Sequence, residues 1–366
     1  VKRMLCVLFA VCLLAAGLPA DSARAQAPIV WKMQTVWPAG LAFHRNAEGL
    51  AKRIEEMAGG RLKIDVVPAG TVVGAFDVLE AVHKGLVDCA HGWSAYWVGK
   101  QPALNFFTSA SGGPFGMDNL DYVSWLFYGG GYELYRELYQ DVLKMKVHVI
   151  PTLVLNTEPL GWFKKPFKTV ADLKGAKFRA SGLTAEIYKE FGMTVIAMPA
   201  GEILPALERG VIDGAEFYSP YLDKELGFQD VAKYYYAPGM HRSTGTLELL
   251  VNKEKWDKLP ADLKAIVDIA SRENLLRGWL EISVQDVQAL EELKTKSGVN
   301  VMETPREVLI EILKAWDKVH AGYEAKDPFF AKVSKSMKEF SRQIVPFRRD
   351  FQASYDICAN YYWPKK

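Results

Sequence analysis

Two charged residues stand where an α/β chain exposes chemistry, Arg179 and Glu216. Arg179 closes a short apolar strand and is followed by Ser181-Gly182 and a helix, so its guanidinium should lie beside the free N–H groups of that helix's first turn. That is a place for an anion, and a planar fork of donors suits a carboxylate. Glu216 ends a later strand, Val211-Ile212-Asp213-Gly214-Ala215, and leads into Phe217 and Tyr218. Ligands of open α/β sheets bind beyond the carboxyl ends of strands, so both residues should face one crevice. The plainer reading is a surface arginine and a solvated acid.

The elements that must position them run from Thr169 to Tyr221 as strand, helix, strand, helix, strand. Leu183, Ile187, Tyr188 and Phe191 fall on one helical face within this unit. A second copy of its closing piece lies earlier in the chain. The ten residues from Val82 to His91 align without gaps on those from Leu207 to Glu216, each a helix end, a glycine stop, an aspartate turn and a short strand. Two domains of like topology are therefore expected to face each other, with His91-Gly92-Trp93 opposite Glu216-Phe217-Tyr218.

The 366 residues allow two domains with real cores. A net charge of +2 gives no reason to expect nucleic acid or a membrane surface as partner. Lys2 and Arg3, the apolar run from Leu5 to Leu18 and Ala23-Arg24-Ala25 read as an export signal over 1–25, cleaved after about Ala25. The run is too short for a membrane span, and no later stretch is apolar for long enough. Cys89 and Cys358 remain after cleavage, a weak basis for a disulfide.

A first strand delivers Trp37 at its carboxyl end, and the glycine- and aromatic-rich stretch holding Tyr96 and Trp97 reads as a cleft wall. Residues 147–155 form an apolar strand that carries Glu158 into the second half, and 246–252 return to the first. The expected division is lobe I at 29–155 plus about 246–270 and lobe II at 156–245. A spanning helix at about 262–297 and a helical extension at 326–366 follow, the latter with an aromatic end that makes a partner subunit plausible. His-Glu-x-x-His, Gly-x-Ser-x-Gly, P-loop and dinucleotide fingerprints are all lacking.

Thr35-Val36-Trp37-Pro38, Pro68-Ala69-Gly70-x-x-Val73-Gly74, Gly161-Trp162-Phe163, Asp172-Leu173-Lys174-Gly175-x-Lys177-x-Arg179 and Pro199-x-Gly201-Glu202-Ile203-x-Pro205-Ala206-Leu207-Glu208 together resemble the solute-binding subunits of tripartite ATP-independent periplasmic (TRAP) transporters, the DctP-type family. Ala215-Glu216-Phe217 is closest to the branch that binds 2-oxo acids. The resemblance implies an α/β, two-domain periplasmic binding protein of the type II-like, hinged kind, which delivers a small organic acid to membrane permease subunits. It also implies a long carboxyl-terminal helix exchanged within a homodimer. Arg179 would hold the ligand carboxylate, and a Na⁺ or Ca²⁺ ion would bridge the ligand to Glu158, Glu216 and the carbonyl of Phe217. The chain departs from the branch at two of these places: its glutamine is Glu158 here, and a further acidic ligand near His241 is replaced by Arg242. If Arg242 pairs with one of the glutamates, no cation is needed. Trp37, Tyr96, Trp97, Phe217 and Tyr218 would cover an apolar or aromatic ligand tail, or simply fill the core. The rival classes are an exported lyase or hydrolase using Glu158 and Glu216 as an acid and base pair, and a ligand-sensing subunit.

Overall fold

In the computed structural model, which describes residues 27–108 and 113–364, alternation builds the first two strands; the export signal expected at 1–25 lies outside the described residues. In β1 (Ile29–Thr35) and β2 (Leu62–Val67), Trp31, Met33, Leu62 and Ile64 turn inward while Lys32, Lys63 and Asp65 face solvent. Between them α1 (Ala42–Met57) buries Ala47, Leu50, Ala51 and Ile54, the spacing of one helical face. It stops where Gly59 and Gly60 take φ of 58° and 75°.

Helix α2 (Val78–His83), β3 (Cys89–Gly92) and β4 (Val147–Leu155) complete the first half, and β5 (Gly161–Phe163), β6 (Lys177–Arg179), α3 (Thr184–Glu190), β7 (Thr194–Ile196), α4 (Ala200–Glu208), β8 (Gly214–Ala215), α5 (Pro220–Glu225) and β9 (Tyr234–Ala237) build the second. The chain then returns as β10 (Gly245–Asn252) to the first sheet, ordered β2-β1-β3-β10-β4. The second sheet, ordered β11-β9-β5-β8-β6-β7, is closed by β11 (Asn300–Glu303). Pro151 lies in β4, an edge strand, at an irregularity in its pairing with β10, where Leu247 faces Leu153 and Glu248 faces Pro151.

The two copies seen in the sequence fold alike. Gly85 and Gly210 end α2 and α4 with φ of 73° and 69°. Asp88 Oδ2 then accepts from the N–H of Lys32 at 2.8 Å, and Asp213 Oδ2 from that of Lys177 at 2.9 Å. Each aspartate thus ties the turn to the parallel neighbouring strand, β1 beside β3 and β6 beside β8.

Two segments cross between the sheets, 156–160 from β4 to β5 and 238–244 from β9 to β10. They are stitched together: Glu158 N–H donates to the Arg242 carbonyl and Gly239 N–H to the Glu158 carbonyl, both at 3.0 Å. The 35-residue α6 (Ala261–Thr295), roughly 50 Å long, lies along them and packs on β4 and α1 of the first half and α5 of the second. Asn274 fixes it by exchanging bonds with Asn46 and donating to the Thr152 carbonyl. Helices α7 (Pro328–Phe351) and α8 (Tyr355–Tyr362) end the chain, α7 burying Phe330, Val333 and Met337 and α8 burying nothing. Among the described residues no helix is long and apolar enough to cross a membrane.

Candidate functional site

Parallel pairing of β6 with β8 sets Arg179 opposite Ala215, so Arg179 and Glu216 leave adjacent strand ends together. Arg179 Nη1 donates to the Glu216 carbonyl at 2.7 Å and to Glu216 Oε1 at 3.1 Å. Its Nε and Nη2 both donate to the Met198 carbonyl. With five N–H groups in a guanidinium, one remains without a partner among the described residues, on Nη2. The sequence suggested a fork open to a ligand carboxylate beside free helix donors; instead the protein fills most of the fork itself. Of the N–H groups that lead into α3, that of Ser181 donates to Glu216 Oε1 at 3.1 Å and that of Leu183 to Asn105 Oδ1. In this structure the anion held at the strand end is Glu216.

The two crossing segments supply the other two charges. Arg242 Nη1 donates to Glu216 Oε2 at 3.1 Å and to Glu158 Oε2. The Arg242 guanidinium stacks 4.4 Å from the ring of Trp93, which comes from the first half. All four charged side chains are at most 1% exposed. Burial pushes the Glu216 carboxyl up, but the guanidiniums of Arg242 and Arg179 outweigh it and hold it at about 2. Burial holds the Glu158 carboxyl well above its usual range, Arg242 opposing and Glu216 adding to the shift. His241 is kept neutral, pushed down to about 3 by burial and by Arg242.

Around these charges stand buried polar atoms with no hydrogen-bond partner among the described residues: the hydroxyls of Tyr96 and Ser181, and Glu158 Oε1. Burial pushes the Tyr96 hydroxyl above its usual range, with Arg179 and Arg242 opposing the shift and Glu216 adding to it. The aromatic wall comes from both halves, with Trp37 and Phe43 of the first against Phe217 at 6.3 and 6.2 Å and Phe43 against Tyr218 at 5.0 Å. Trp37 Nε1 is fixed by His91 Nδ1, and the Tyr218 hydroxyl accepts from Asn156 N–H. Trp97 is turned elsewhere, its ring against Gly92 and its N–H on the Phe76 carbonyl. Trp93 and the Met198 carbonyl were missed as site groups. The facing of His91-Gly92-Trp93 and Glu216-Phe217-Tyr218 was a signal for the first, while a main-chain acceptor such as the second carries none.

Glu158, Glu216 and His241 bring potential ligand atoms within 4.8 Å of one another, a spacing a metal could use. Arg242 Nη1 is already bonded to both of those carboxyls.

The model of bacterial extracellular solute-binding protein family 7 matches residues 33–327. A monocarboxylate 2-oxoacid-binding periplasmic protein of Nostoc sp. (strain PCC 7120) is 36% identical over 341 residues, covering 93% of this chain and 92% of that one. Among solved structures, a TRAP transporter solute-binding protein from Bordetella bronchiseptica, with calcium and picolinate, superposes with a TM-score of 0.85 at 30% identity, covering 92% of this chain and 97% of that one. One from Pseudoalteromonas atlantica, with sodium and pyruvate, gives 0.83 at 30% identity over 93% of this chain and 100% of that one. The shared architecture is the two-sheet α/β fold of periplasmic binding proteins, long helix included. By family model, sequence and fold alike, the chain belongs to the DctP-type family of extracytoplasmic solute-binding proteins that serve TRAP transporters.

Proposed function

We propose that the chain captures a small monocarboxylate bearing a 2-oxo or 2-hydroxy group between its two halves, in the periplasm, and hands it to a membrane permease. The observation that carries this reading is the buried cluster of Arg179, Arg242, Glu158 and Glu216 where the halves meet, ringed by polar atoms that lack partners. With Glu216 ionised and Glu158 held neutral, the cluster carries one surplus positive charge, which one carboxylate would balance. The remaining N–H of Arg179 would bind that carboxylate singly, not as a fork, and the Tyr96 and Ser181 hydroxyls would complete its bonds. Trp37, Phe43, Phe217 and Tyr218 would cover the carbon chain. That relatives bind 2-oxo acids, pyruvate and picolinate supports the choice of acid.

Mass spectrometry of ligand released from freshly purified protein, followed by calorimetry with pyruvate, longer 2-oxo acids and their 2-hydroxy forms, tests the reading. Arg179→Ala should weaken binding by roughly ten- to a hundredfold, since a charged hydrogen bond is worth about 1.5–3 kcal/mol. Full affinity in that variant, or no binding of any such acid by the wild type, would overturn it. A binding protein returns its acid unchanged after prolonged incubation; product formation would favour a lyase or hydrolase built on Glu158 and Glu216.

A further inference from the structure

Resting on the solute-binding reading, we infer that this chain holds its organic acid without a metal ion, Arg242 supplying the positive charge that sodium or calcium brings in similar proteins. An inventory of oxygens carries the argument. Glu216 Oε1 accepts from Arg179 and from the Ser181 N–H, and Glu216 Oε2 and Glu158 Oε2 both accept from Arg242 Nη1. Of the two carboxyls only Glu158 Oε1 is left among the described residues, beside the ring of His241 at 3.6 Å. Calcium takes roughly six to eight oxygens; one carboxyl oxygen and an imidazole, even when joined by the Phe217 carbonyl and two oxygens of the acid, fall short of that shell.

Charge points the same way. A cation among these carboxyls would sit against two guanidiniums in a place closed to water, where repulsion is little screened. Nor is Arg242 a surface arginine that could swing aside. Its guanidinium rests on Trp93, and its carbonyl is bonded to the N–H of Glu158. Built into the crossing segment and touching both halves, it balances Glu216, holds Glu158 and ties the two halves together as a covalent part of the chain.

The test uses the full-length protein after chelator treatment, in a sodium-free potassium buffer. Calorimetric titration with pyruvate and the other acids should give a Kd that changes by less than about twofold when calcium or sodium chloride is added. Separately, calcium titrated into the acid-free protein should bind nowhere in stoichiometric amount. Arg242→Glu, which exchanges the guanidinium for a third carboxyl, should gain calcium binding and a calcium-dependent rise in Tm. Tightening of more than about tenfold by either cation, or stoichiometric calcium on the wild type, overturns the inference. Acid binding that appears only with a cation would leave the solute-binding reading standing while removing this one. If no acid binds under any condition, that reading falls, and the calcium titration of the wild type still decides the metal question, whether or not Arg242→Glu folds.

Discussion

Burying two guanidiniums and two carboxyls at one point removes them from water at a cost of several kcal/mol per ion, offset by their bonds to one another, to the Met198 carbonyl and the Ser181 N–H, and by the Trp93 ring. Such clusters recur at functional sites because the same strained balance accepts a ligand's charge. Glu248 shows the contrasting case. It is fully buried in β10, accepts among the described residues only from the Tyr135 and Tyr139 hydroxyls, and burial pushes it up to about 8 despite those bonds. The folded chain therefore keeps a proton on Glu248 that the unfolded chain releases near 4.5. Its contribution to stability is complete below that pH and declines as pH rises toward 8, with a slope of up to about 1.4 kcal/mol per pH unit. Glu248→Gln should remove that slope, so urea unfolding at mildly acidic and mildly alkaline pH should show the variant gaining on the wild type as pH rises. Arg179 and Glu216 were legible in the sequence because each ends a strand of one recognisable unit. That Arg242 would bond both glutamates was not, since their spacing along the chain says nothing of side-chain direction.

At the scale of elements, the long helix depends on one small residue. A Cβ on Gly278 would lie 2.3 Å from Leu153 Cδ1 and 2.6 Å from Asn46 Nδ2, so α6 sits against β4 and α1 with no room for a methyl group. Alanine would gain about 1 kcal/mol of helix propensity, but overpacking against a strand and a bonded asparagine costs about 1–3 kcal/mol. The overlap here is severe enough for packing to win. Gly278→Ala should lower Tm by a few degrees in a thermal melt, with weaker ligand binding if the helix sets the spacing of the two halves. The helix was expected over about 262–297 and spans Ala261–Thr295; its apolar run was plain in the sequence. Its tight seat on Leu153 and Asn46 was not, because a glycine inside a helix reads only as a local weakness. The paired glycine stops and aspartate turns were the most legible feature, since each does its work within a few residues of itself.

For the molecule as a whole, the contacts between halves at the rim matter as much as the buried charges. Glu225 of α5 reaches across to accept from the N–H of Ala42, the first residue of α1, and from Arg45 Nη2 at 2.5 Å. A carboxylate at a helix N-terminus is favourable, so closing the halves caps a helix that has no side-chain cap of its own. Because the pair is partly exposed its worth is about 1 kcal/mol. Glu225→Ala should raise the ligand's dissociation rate by roughly three- to tenfold in stopped-flow measurements and change association little. At the far end, Phe351, Tyr355, Ile357, Tyr361, Tyr362 and Trp363 are all at least 70% exposed. An apolar strip of that kind calls for a covering surface, and we propose a second copy of the chain. Deleting residues 353–366 should shift the mass in solution from dimer to monomer by light scattering, with the fold of the single chain kept because α8 buries nothing within it.

The strand–helix unit around Arg179, the two like copies, the family and the place of Arg179 and Glu216 at strand ends were legible in the sequence alone, because each follows from patterns that repeat or complete themselves within short stretches. Only the tertiary structure decided what the charges do. Glu158 and Arg242, 84 positions apart, lie in two crossing segments whose meeting depends on both sheets being formed, and Trp93 reaches Arg242 only when the halves come together. Whether an arginine clamps a ligand, balances a glutamate or replaces an ion depends on where its five N–H groups point, and packing from every side sets that direction.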